Sequence, residues 1–196
     1  MVIHDKGLLK VIKAAARGKG YELGIRTLES GEDYFVLHGE GWTVETLRKY
    51  IPREVLALIV QHCGFIPETG TVHKITKHMG AEAELPDEFW AATVATVAGA
   101  DAWVNTPNAF AKHTGLVYGG DTTLMKTRGG KLLPVDSTLL DIGSGILGMH
   151  SDGNILIFQG NVSMVVIGKA ELPANRMDYL TRIGDAIQLS WDEEEE

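Results

Sequence analysis

Seven histidines and one cysteine are the residues of this 196-residue chain whose types invite metal or catalytic chemistry. Imidazole can hold zinc or act as a general base, but only where spacing or fold makes the side chains converge. His73 and His78 are five apart, which fits neither one helical face nor one side of a strand. No His-Glu-x-x-His pattern occurs. His113, Asp121, Asp136, Asp141, His150 and Asp152 can meet only through the tertiary fold. A metal-dependent hydrolase would need four of them, His113, Asp121, Asp136 and His150, in one place. His62 and Cys63 are neighbours in an expected helix, so they point about 100° apart and cannot pair as base and nucleophile. His150-Ser151-Asp152-Gly153 resembles a triad only as letters, because triad members come from separate segments. It reads as a turn before a strand. Gly143-Ser144-Gly145 reads as a helix stop, since a nucleophile elbow needs a strand before it and a helix after. The expectation is a non-enzymatic protein with no catalytic residue, no metal and no cofactor.

The cations make a clearer pattern. Lys6, Lys10, Lys13 and Arg17 recur at intervals of four, three and four, which aligns four positive charges on one helical face. No acid interrupts them. A face of this kind can neutralise the phosphates of double-stranded DNA, and an ordinary solvated face has the same look.

The stripe needs a helix, and residues 5–17 supply one. Asp5 can cap it, Leu8, Leu9, Ile12 and Ala16 form its apolar side, and Gly18 and Gly20 end it. Strands are expected at Tyr21–Thr27 and Tyr34–His38, with a turn at Ser30-Gly31 and a further extended piece at Trp42–Val44. Pro52 suits the first turn of a helix running Arg53–Cys63, with Val55, Leu56, Ile59 and Val60 inward and Gly64 as its stop. A strand at Thr71–Lys77 follows, and Gly80–Glu84 reads as a junction. Beyond it the pattern predicts a helix at Glu88–Ala98, then a short helix and a strand within 106–121. Strands at Thr122–Thr127 and Lys131–Leu133 come next. A helix capped by Asp136 or Ser137 carries Leu139, Leu140 and Ile142 on its apolar face. The β-branched runs Ile155–Phe158 and Val162–Ile167 form a hairpin about Gly160-Asn161. Leu172-Pro173 opens a short helical turn, and Ala186–Trp191 alternates like a last strand. Cys63 reads as a core cysteine near a helix end.

Composition bounds the class. A hydrophobic fraction of 44% and a charged fraction of 22% are ordinary for a globular protein. The net charge of -8 disfavours indiscriminate binding to nucleic acid or an anionic membrane. Five of those charges are the tail Asp192–Glu196, which leaves -3 for the body. Trp191 beside that tail is either a frayed strand end or a short docking motif. With one cysteine there is no internal disulfide. The apolar run Leu8–Ala16 is short and interrupted by Lys10 and Lys13, unlike a signal peptide, and no run is long enough to span a bilayer. A cytoplasmic location is expected, with no membrane partner.

The order of helix, strands, helix and strand at residues 5–77 is echoed at 86–169. Val55-Leu56-Ala57-Leu58-Ile59 aligns with Thr138-Leu139-Leu140-Asp141-Ile142. The expected fold is therefore α+β, with two similar helix-plus-antiparallel-sheet subdomains at 1–80 and 81–191 and an acidic tail at 192–196.

Within Leu133–Pro173, the run PVDSTLLDIG and then GNILIFQGNVSMVVIGKAELP resembles the helix and hairpin of a DNA sliding-clamp domain. That resemblance implies helices facing DNA, sheets outside and a homo-oligomeric ring. The helix at 88–98 departs from the pattern, since it carries Glu88 and no Lys or Arg. A second resemblance covers the first half: Leu8-Leu9-Lys10 with Gly20-Tyr21, Pro52 through Val60, His62, Gly64, and Ile66-Pro67-Glu68 with Gly70. These are similar to uncharacterised phage and mobile-element proteins of Gram-positive bacteria. Together they imply a phage accessory protein that binds a host or phage protein, or double-stranded DNA, through Lys6, Lys10, Lys13 and Arg17. An acidic inhibitor of a host defence protein is the alternative, and the hydrolase is the third.

Overall fold

Leu8, Val11, Ile12 and Ala16 recur at three- and four-residue intervals and become the buried face of helix α1 (Asp5–Arg17). The computed structural model describes residues 3–77, 80–82, 89–90, 110–143, 149–151, 155–160 and 162–191. The N-cap of α1 is His4 rather than Asp5. Ile3 bridges Gly143, and the His4 amide donates to the Ile142 carbonyl at 2.8 Å, so the extended backbone ends at His4 and the helix begins one residue earlier than an Asp5 cap would place it. Asp5 falls in the first turn, where its charge complements the helix dipole.

Three strands follow: β1 (Tyr21–Thr27), β2 (Asp33–Gly39) and β3 (Trp42–Leu47). Their alternate residues Leu23, Ile25, Phe35, Leu37 and Val44 are buried in one core with α1. Helix α2 (Arg53–Cys63) has the expected bounds and ends at Gly64, whose φ of 84° is the left-handed stop glycine tolerates. Its inner face is Val55, Leu58 and Ile59, whereas Val60 is exposed. At 100° per residue, 55, 58 and 59 share a side and 60 does not. Strands β4 (Val72–Ile75) and β5 (Gly80–Glu82) complete this part.

Next come β6 (Ala111–Tyr118), β7 (Thr122–Thr127), β8 (Leu132–Asp136), the one-turn helix α3 (Ser137–Leu140), β9 (Met149–Ser151), β10 (Ile155–Gln159), β11 (Ser163–Gly168) and α4 (Ala174–Ala186). Asp136 caps α3, accepting from the Thr138 amide at 2.8 Å.

The strands form an eight-stranded sheet, ordered β5-β4-β1-β2-β3-β11-β10-β9, and a three-stranded sheet, β6-β7-β8. Every pairing between these strands is antiparallel. The chain is thus an α+β protein. The larger sheet joins distant sequence at β3–β11, where Val44 faces Val165 and Trp42 faces Ile167. All four are buried in the main core, and each such burial is worth about 1.5–3 kcal/mol.

Two expectations change near the C-terminus. Where a short turn was expected, α4 runs for 13 residues, with Leu180 and Gly184 buried. The expected strand Ala186–Trp191 is instead the end of α4 and a non-repetitive segment. Two of its carbonyls are taken by lysines rather than by a ladder: Lys126 Nζ donates to the Ile187 oxygen at 3.0 Å, and Lys112 Nζ to that of Ser190 at 2.9 Å. Within 106–121 the described part is the edge strand β6, bulged between His113 and Val117, where Gly115 has φ 80°. His78, Trp103, Ser144, Gly145, Asp152–Asn154, Asn161, the tail and the expected helix beyond Phe89–Trp90 lie outside the described residues. Among the described residues no helix is long and apolar enough to cross a membrane.

Candidate nucleic-acid interface

Lys6, Lys10, Lys13 and Arg17 all lie on α1 and are all exposed. At 100° per residue they fall within a sector of about 60°, opposite the buried face. Their Cα atoms span about 16 Å along the axis at 1.5 Å per residue. The core side chains beneath, Leu8 and Ile12 among them, hold the helix against β1 and α2, so the stripe rides on packed structure. Among the described residues, Lys6, Lys13 and Arg17 have no carboxylate partner.

Lys10 differs. Its Nζ lies 3.2 Å from Asp141 Oδ2, with both side chains more than half exposed. Asp141 follows α3 directly, 131 residues away in sequence, so no helical spacing could have revealed it. Just beyond the stripe, Lys19 pairs with Glu40 at 2.6 Å. Neighbouring α2 contributes His62, 3.3 Å from the Tyr21 hydroxyl in hydrogen-bond contact. Partial burial, and secondarily the charge of Lys13, hold the His62 pKa below its ordinary value. Burial, with a smaller push from Cys63, raises that of Tyr21.

The other sequence candidates are scattered. Asp121 and Asp136 flank Thr122 at one end of the β7–β8 pair. Asp136 is occupied in capping α3, and its carboxylate accepts from the Thr138 hydroxyl at 2.7 Å as well. His113 lies opposite Met125 further along β6, where its Nδ1 accepts from the Gly115 amide at 2.8 Å. Among the described residues no three His, Cys, Asp or Glu side chains are grouped to hold a metal ion. His150 lies on β9. The Cys63 thiol donates to the Ile59 and Phe65 carbonyls, at 3.0 and 3.1 Å, and is not paired with His62. His73 hydrogen-bonds Thr71 and packs on the edge of Phe65. Trp191 is half-buried, with Lys112 Nζ 5.5 Å from its ring centroid.

No family model matches this chain, and no curated protein matches it in sequence. Among solved structures it is similar to a protein from Eubacterium rectale provisionally assigned as a DNA polymerase III beta subunit. The identity is 12% and the TM-score 0.39, with 91% of this chain and 66% of that one covered. The chain therefore spans about two thirds of that protein's length.

Proposed function

We propose that this chain works by binding, as a phage or mobile-element accessory protein whose helix α1 docks on the phosphate backbone of double-stranded DNA. The observation that carries the reading is the exposure of Lys6, Lys13 and Arg17 on one side of a rigidly packed helix, without acidic partners among the described residues. Phosphate contacts of this kind are independent of base sequence and sensitive to salt. The resemblance of Leu133–Pro173 to a sliding-clamp domain supports a clamp-like replication role. The resemblance of the first half supports the phage setting. On this reading the subdomains 1–80 and 81–191 are fused edge to edge at β3–β11.

The test is fluorescence anisotropy of labelled duplex DNA at about 50 mM salt. Binding is expected, and the double variant Lys6→Glu/Lys13→Glu should weaken it tenfold or more and flatten its salt dependence. Absence of duplex binding at low salt overturns the DNA reading. Mass in solution tests the ring separately, because a ring of two-domain chains should be a trimer, and a monomer removes encirclement.

A further inference from the structure

The four cations of α1 are not equivalent. We propose that Asp141 is a built-in competitor that withholds Lys10 from phosphate, so that the stripe neutralises three phosphates rather than four. The inference rests on the DNA-binding reading and assigns Asp141 and Lys10 roles within that site.

The placement of Asp141 is dictated by backbone. The amide of His4 donates to the Ile142 carbonyl at 2.8 Å, and Ile3 bridges Gly143. His4 Nδ1 donates to the Asp141 carbonyl at 3.2 Å. The Asp141 carbonyl and the first turn of α1 are packed so closely that a Cβ on Gly7 would lie 1.8 Å from the oxygen. The carboxylate is thereby carried on main chain locked to the helix that bears the stripe. It reaches Lys10 Nζ at 3.2 Å.

An exposed pair of this kind contributes little to stability. Its effect on binding is larger in kind. A lysine with a carboxylate at contact distance presents almost no net charge beyond a Debye length of about 8–10 Å, so it displaces no condensed counterion from the DNA. An approaching phosphate must also meet the carboxylate. Lys6, Lys13 and Arg17 carry no such partner among the described residues.

The experiment measures duplex affinity of the full chain by anisotropy between about 50 and 200 mM salt. Three contacts predict a log–log slope of about -2.7, an affinity loss of about 40-fold over that range. Asp141→Asn should steepen it to about -3.6, a loss of about 150-fold. Adding Lys10→Met to Asp141→Asn should return the slope to the three-contact value, because the fourth cation is then gone together with its competitor. The main-chain anchors of position 141 survive the Asn variant, and circular dichroism checks that each variant folds. An Asp141→Asn slope that stays steep when Lys10→Met is added overturns the inference and leaves the DNA reading standing. So does an Asp141→Asn slope equal to wild type. Absence of wild-type binding overturns both.

Discussion

The first turn of α1 touches the end of α3 backbone to backbone at Gly7 and Asp141, where a Cβ on the glycine would overlap the aspartate carbonyl. This contact joins residues 134 apart and sets where the basic helix sits against the second half of the chain.

Gly7→Ala tests that contact by its sign. In an exposed helix the change would stabilise by about 1 kcal/mol through helix propensity. Here the carbonyl is main chain and cannot step aside cheaply, so a destabilisation of about 1–3 kcal/mol is expected. Urea denaturation followed by circular dichroism reads the difference. A stabilised variant would show that the two backbones do not touch.

Tyr34 on β2 donates its hydroxyl to the carboxylate of Glu45 on β3 at 2.9 Å, and Glu45 is fully buried. Tyr34→Phe takes one hydrogen bond from a buried charged group and should cost about 1–3 kcal/mol. Burial first, and the charge of Glu45 second, raise the Tyr34 pKa above its ordinary 10.0, and burial does the same for Tyr21. A raised phenol favours the folded state while neutral. That stability is fully present below about pH 10 and is lost as pH rises beyond it. Denaturation midpoints from pH 8 to 11 should fall at the alkaline end, less steeply in Tyr34→Phe. A flat profile in the wild type would contradict the burial of both phenols.

His62 titrates in the opposite sense. Its depressed pKa means that the folded state favours neutral imidazole, with stability complete above the ordinary value of 6.5 and declining as pH falls below it. Lys13→Gln removes the smaller of its two causes and should move the His62 titration upward in an NMR pH series. No movement would place Lys13 too far from His62 to act on it.

Ile167 is buried at the β3–β11 seam opposite Trp42. Ile167→Ala should cost about 2–5 kcal/mol through the cavity it leaves. The tryptophan fluorescence transition, to which Trp42 contributes, should shift together with the far-ultraviolet circular dichroism transition. If only one of the two shifts, the seam does not couple the strands it joins.

Much of the local structure was legible because it depends on neighbours in sequence. The periodicity of Leu8, Ile12 and Ala16, ended by Gly18, marks α1, while Pro52 and Gly64 bracket α2. β-branched alternation marks β7, β10 and β11. The C-terminus misled, since Ala186–Trp191 alternates like a strand. Strand pairing requires a free ladder edge, and Lys112 and Lys126 take carbonyls there instead. Of the proposed interface, the stripe itself was readable from the spacing of four cations. Its modification at Lys10 was not.

By itself the sequence determined α1, α2 and most of the strands, and which face of α1 is charged, because these follow from repeats of 3.6 and 2 residues along the chain. Tertiary structure alone decided that β3 pairs with β11, and that Gly7 and Asp141 meet. It also decided that one lysine of four carries a carboxylate from elsewhere. Those outcomes depend on register and close packing between distant segments, which no local periodicity encodes.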